Sequence, residues 1–106
     1  MADIKKLLGK RIKELRKSKN YTQEKFSELL DMDQRSLSAI ECGINFSTKH
    51  FIVMAKVLEV DIKDLFDFEH LDLTEHQLRQ KSKNFIDELD IHDLHTVYRL
   101  LKSMLK

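Results

Sequence analysis

Proline is absent from this chain, and glycine occurs only twice, at Gly9 and Gly43. With 35% of its residues charged, such a composition favours helices over strands and leaves few places for turns, so an all-α fold is expected. Cysteine occurs once, at Cys42, which excludes an intrachain disulfide and with it a secreted disulfide scaffold. No run approaches the roughly 20 apolar residues needed to cross a bilayer. The opening Met1-Ala2-Asp3-Ile4-Lys5-Lys6 lacks an apolar core of signal-peptide length, so a cytoplasmic protein with no membrane partner is expected. Also missing are a glycine-rich phosphate loop, a nucleophile paired with its base, and a metal-ligand set. Neither an enzyme nor a cofactor is expected.

A chain of 106 residues suits one compact domain, or a short domain with an appendage. The net charge is only +1, yet it is unevenly spread. Residues 1–20 hold eight Lys or Arg against Asp3 and Glu14, a local +6, whereas residues 67–106 hold six basic and eight acidic side chains, a local −2. A positive field at one end is what attraction to phosphates requires. The alternative, that Lys and Arg merely solvate an amphipathic helix, carries less weight, and less still for the cluster than for any single lysine.

The stretch from Thr22 to Gly43 reads as two short capped helices separated by a tight turn, a helix-turn-helix. Thr22 is a candidate N-cap, its hydroxyl accepting from free first-turn amides, and Phe26, Leu29 and Leu30 follow at helical spacing. Asp33 caps the second helix. There Leu37 and Ile40 point inward, leaving Gln34, Arg35, Ser38 and Ala39 on the other face. Gln and Arg make paired hydrogen bonds to adenine and guanine edges, and a small Ala39 touches a thymine methyl without a clash.

Residues from about Leu7 to Phe66 resemble the phage-repressor and Cro-like helix-turn-helix family, also called the XRE family. The resemblance is carried by Arg11-Ile12-Lys13-Glu14-Leu15-Arg16, Thr22-Gln23-Glu24, Ser36-Leu37-Ser38, Ile40-Glu41 with Gly43, Met54-Ala55-Lys56-Val57-Leu58 and Asp64-Leu65-Phe66. It implies a sequence-specific regulator of double-stranded DNA, with base contacts from Gln34, Arg35, Ser36, Ser38 and Ala39 and phosphate contacts from Gln23 and the Cys42 position. It also implies an ion pair between Arg16, late in the first helix, and Glu41, closing the recognition helix. Asp31 stands in the turn where the family often has Gly. Ala39 and Cys42 stand where longer polar or basic residues are frequent.

Seven helices are expected. The first, about Asp3 to Lys19, buries Ile4, Leu7, Leu8, Ile12 and Leu15 and stops at Asn20. A fourth begins after Ser47 as N-cap, its first amides free to bind a phosphate alongside Lys49, with Asn45 and His50 joining that contact. A short fifth, Asp61 to Phe66, closes the core with Ile62, Leu65 and Phe66. That completes a five-helix repressor-like DNA-binding domain over residues 1–66. Residues 67–73 read as a linker and residues 74–106 as a C-terminal helical hairpin. Thr74 with Gln77 forms a candidate capping box for its first helix, which carries Leu78, Ser82, Phe85, Ile86 and Leu89 on one face. Asp90 caps the second, striped with Leu94, Val97, Tyr98, Leu101, Met104 and Leu105.

A two-helix hairpin cannot bury both stripes by itself. Either it folds back on the first domain, or it meets a second copy in a four-helix layer. A homodimer through Phe85, Ile86, Leu89, Leu94, Val97, Tyr98, Leu101, Met104 and Leu105 is the favoured expectation, because two heads read a palindrome where one reads too few base pairs. His92 and His95 lie three apart and, with His70 and His76, lack a completing cysteine or carboxylate pair; they read as solvent-facing or capping residues. Oxidation of Cys42 would block DNA, but no resolving thiol accompanies it. The expectation is a dimeric repressor acting by occupancy. The alternative is an antitoxin or adaptor whose tail grips a protein partner while its head binds DNA weakly or not at all.

Overall fold

Short polar side chains open the first three helices. The computed structural model describes residues 3–45 and 47–105; Met1, Ala2, Phe46 and Lys106 lie outside it. The Asp3 carboxylate accepts from the Lys5 amide at 2.9 Å and starts α1, Ile4–Ser18. Thr22 Oγ1 accepts from Lys25 at 3.0 Å and starts α2, Gln23–Leu29. Asp33 accepts from the Arg35 amide at 3.0 Å and starts α3, Gln34–Glu41. Each cap satisfies an amide that the first helical turn leaves unpaired. Between helices the chain turns through left-handed residues, Asn20 at φ 61° and Asp31 at φ 55°. Asn and Asp tolerate that region better than other side chains.

Beyond Gly43, at φ 89°, come α4, Thr48–Leu58, then the single turns α5, Ile62–Leu65, and α6, Glu69–Asp72. Ser47 occupies the N-cap position of α4, but its side chain makes no capping hydrogen bond. The described residues are all helical or irregular, with no strand among them. α3 packs against both α1 and α2, and α5 against α1 and α4. Their shared core contains Leu8, Ile12, Phe26, Leu37, Ile40, Met54, Leu58 and Leu65. Each such side chain contributes about 1.5–3 kcal/mol by leaving water. Tyr21 stacks on Phe26 with centroids 6.1 Å apart, sealing the α1–α2 corner.

Three residues expected in the core lie outside it. Ile4, in the first position of α1, is exposed, as are Ile62 and Phe66. A one-turn α5 can aim only one side chain inward, and that is Leu65. Phe66 instead meets Phe51 edge-on at 6.0 Å. The segment expected to be linker holds α6, the element that raises the helix count to eight among the described residues. His70 Nε2 meets the two carboxylate oxygens of Glu14 at 2.9 and 3.0 Å. Arg11 Nη1 donates to the same carboxylate at 2.6 Å, and Arg11 Nε donates to the Asp64 carbonyl at 2.9 Å. Partial burial pushes the Glu14 carboxyl up, but the hydrogen bonds and charges of Arg11 and His70 outweigh it, and the carboxyl sits below its ordinary value.

The chain divides into two compact units, the first ending at Asp72 and the second starting at Leu73. In the second, Thr74 and Gln77 bond reciprocally at 3.0 and 3.1 Å to open α7, Glu75–Glu88. After an extended Leu89-Asp90 link, the Asp90 carboxylate accepts from Asp93 at 2.8 Å and opens α8, Ile91–Met104. None of this unit's described residues is buried. Phe85 is 66% exposed, Tyr98 63% and Met104 75%.

Candidate nucleic-acid interface

One buried carboxylate fixes the pose of α3. Glu41, in the last position of that helix, accepts from Arg16 Nε at 2.7 Å and Nη2 at 3.1 Å, a bidentate fork between α1 and α3. Gln23 Nε2, in the first turn of α2, donates to the same carboxylate at 3.0 Å. The third arm of the guanidinium, Nη1, donates to the Tyr21 carbonyl at 2.8 Å. Arg16 and Glu41 are both buried, and a buried ion pair is tolerable only when its remaining donors and acceptors are satisfied. Here they are, and the network ties three helices at one point.

The same two helices approach unusually closely at Gly9. A Cβ added there would lie 2.6 Å from the carbonyl oxygens of both Ile40 and Glu41. Glycine in mid-helix ordinarily costs about 1 kcal/mol relative to alanine; here it allows α1 to lie against the end of α3. Neither this contact nor the Gln23–Glu41 bond is foreseen by helical spacing.

With Leu37, Ile40 and Glu41 turned inward, α3 presents Gln34, Arg35 and Ser36 as exposed residues and Ser38 and Ala39 as half-buried ones. Ser36 Oγ donates to the Asp33 carboxylate at 3.1 Å, so its hydrogen is engaged in the cap and its lone pairs remain. Gln23, expected at a phosphate, has one amide hydrogen on Glu41 and the other left for such a contact.

The expected phosphate contacts lie beyond α3. Cys42 is an exposed free thiol, and Asn45 is exposed at φ 60°. Lys49 is exposed and His50 half-buried in the first turn of α4. At this helix N-terminus Ser47 Oγ and His50 Nδ1 are buried without a hydrogen-bond partner, although native structures leave few such atoms unpaired. The serine hydroxyl was foreseen only as a cap. His92 and His95 are exposed, and no cluster of three or more metal-ligating side chains occurs among the described residues. No helix among them is long and apolar enough to cross a membrane.

A helix-turn-helix family model matches residues 12–65. The chain belongs to that family, the XRE-type, Cro- and phage-repressor-like DNA-binding regulators. Comparison with curated proteins gives no match. Among solved structures, the restriction-modification controller protein C.AhdI from Aeromonas hydrophila is 28% identical with a TM-score of 0.54, over 57% of this chain and 92% of its own. The SinR protein/SinI protein complex shares the fold at 23% identity and a TM-score of 0.56, over 92% of this chain and 96% of that one.

Proposed function

We infer that this DNA-binding regulator is a dimeric, cytoplasmic repressor that occupies a palindromic operator and excludes the transcription machinery. The observation that carries the reading is the exposed polar face of α3 on a helix locked from behind by the Arg16–Glu41–Gln23 network. A base-reading helix must be held in one pose for its hydrogen bonds to discriminate. Gln34, Arg35, Ser36, Ser38 and Ala39 read base edges. Lys49, the free amides of α4 and the Ser47 hydroxyl hold a backbone phosphate, with Gln23, Cys42, Asn45 and His50 flanking it.

Residues 1–66 form the DNA-binding head, and residues 74–106 dimerise through the apolar faces of α7 and α8. Supporting this, none of the second unit's described residues is buried, and side chains as large as Phe85 and Tyr98 stand open. Large apolar side chains exposed together mark an interaction site. A second copy supplies a matching face by symmetry.

The test is selection of sheared genomic DNA by the purified full chain at about 150 mM salt with excess nonspecific competitor, paired with its mass by sedimentation equilibrium. Enrichment of a short palindrome with half-sites about one helical turn apart, by a protein of twice the chain mass, is expected. Failure to enrich any sequence would overturn the operator reading, and a monomer at micromolar concentration would move the hairpin's role to a protein partner.

A further inference from the structure

The first unit carries an open groove that the reading face of α3 does not use. It runs between the start of α1 and the chain from Phe66 through α6, and encloses about 430 Å³. Part of its lining is apolar. Leu7 is buried and Phe68 half-buried, whereas Ile4 is 59% exposed and Phe66 48%.

The rest of the lining carries charge of one sign: Asp67, Glu69 and Asp72, all exposed. The cations of the adjoining α1–α6 contact, Arg11 and His70, are both held by Glu14. No ion pair among the described residues involves Asp67 or Asp72. Carboxylates gathered on one surface repel a phosphate backbone and attract a cation, so this part of a DNA-binding head is built for something other than DNA.

Its position agrees. With 3.6 residues to a turn, Ile4 and Leu7 lie about 140° and 160° around α1 from Gly9, the residue that meets the end of α3. One side of α1 therefore seats the recognition helix, and the other lines the acidic groove.

We propose that the groove docks a short basic segment of a partner protein. An apolar side chain of that segment enters between Ile4, Leu7, Phe66 and Phe68, and lysine or arginine residues beside it pair with Asp67, Glu69 and Asp72. An apolar centre with a charged, solvated rim is the usual anatomy of a recognition surface. The long stems of lysine and arginine cover apolar surface while their charged heads reach the rim, and the sign of that rim selects the partner more than it tightens the hold. This docking face is independent of the operator reading and of the apolar faces of the hairpin.

The probe is a random peptide library displayed on phage and selected on immobilised full-length protein. Counter-selection on Asp67→Lys/Asp72→Lys removes peptides held by the hairpin or by other parts of the head. Both aspartates are exposed, and an unchanged Tm shows that the variant keeps its fold; should Tm fall, Asp67→Asn/Asp72→Asn takes its place. Enriched peptides should carry an apolar residue flanked by lysine or arginine. In fluorescence anisotropy the charge reversal should weaken them about tenfold, and Ile4→Ser about fourfold through the lost apolar contact. Failure to enrich any peptide that separates the wild type from the charge variant, enrichment of acidic peptides, or binding undiminished in Ile4→Ser would overturn the proposal. A drop in sedimentation mass caused by the charge variant would assign the groove to a second copy of this chain and overturn it equally.

Discussion

Gly9→Ala should destabilise the protein, against the usual sign of such a change. In a helix interior, alanine is favoured over glycine by about 1 kcal/mol. At Gly9, however, the new methyl would stand 2.6 Å from two backbone oxygens and 2.8 Å from the Glu41 carbonyl carbon. Ordinary contact begins near 3.4 Å, so α1 and α3 would have to separate by about 0.8 Å, the difference between those distances. Backbone atoms at a helix end cannot rotate away. Overpacking of this kind costs about 1–3 kcal/mol, and the shift also stretches the 2.7 Å Arg16–Glu41 bond between the same helices. Setting a cost near the upper part of that range against the propensity gain leaves about 1–2 kcal/mol of net loss. For a domain of this size that is roughly 4–16 °C in Tm. Thermal and urea denaturation followed by circular dichroism would measure it, with an exposed α1 substitution such as Lys13→Ala as the control. A rise in Tm for Gly9→Ala would refute the close approach outright.

Three further outcomes follow from the geometry. Arg16→Ala should cost about 3–5 kcal/mol, because it leaves the Glu41 carboxylate buried with only Gln23 to satisfy it, and Arg16→Met with Glu41→Leu should recover much of that; a single-mutant loss below about 1 kcal/mol in urea titration would contradict the network. The Glu14 carboxyl is held below its ordinary value in the folded chain, so its contribution is present above the unfolded-state value of about 4.3 and is lost as pH falls through the lower folded value. Denaturation midpoints of the wild-type chain should therefore fall more steeply than those of Glu14→Gln on acidification below about pH 5, and parallel curves would show that the Arg11 and His70 contacts contribute nothing. On DNA, Arg35→Ala should cost about 1–3 kcal/mol with relaxed preference at one base position, whereas Lys49→Ala should weaken all sequences alike and lower the salt slope by about one; a sequence-dependent loss from Lys49→Ala would place that residue at a base.

Local signals made the helix starts of both units legible in advance. Thr22, Asp33, Asp90 and the Thr74–Gln77 pair announce helix starts because a cap acts within four residues, and the structure shows a capping bond at each. The turn residues Asn20 and Asp31 are legible for the same reason. What escaped depends on contacts distant in sequence. Helix α6 is one turn long and carries no periodic stripe; its visible anchor is His70 against Glu14, 56 positions away. Gly9 read alone is a weak point in a helix, and only the arrival of the Glu41 carbonyl explains it. Ile4 and Phe66 matched an apolar spacing, yet spacing cannot tell a core position from the surface just past a neighbouring helix's end. The Arg16–Glu41 pairing was suggested by family resemblance, since a separation of 25 residues has no signature in helical period.

The three-way grip on Glu41 divides the recognition helix into parts with separate obligations. Leu37, Ile40 and Glu41 answer to the fold, whereas the side chains of Gln34 and Arg35 stand exposed. On the proposed reading, exchanging the second set rewrites the address without disturbing the scaffold that presents it. A lineage built on this head could then drift from one operator to another by single outward substitutions, each nearly neutral for stability, because the latch that holds the helix lies behind the face proposed to read.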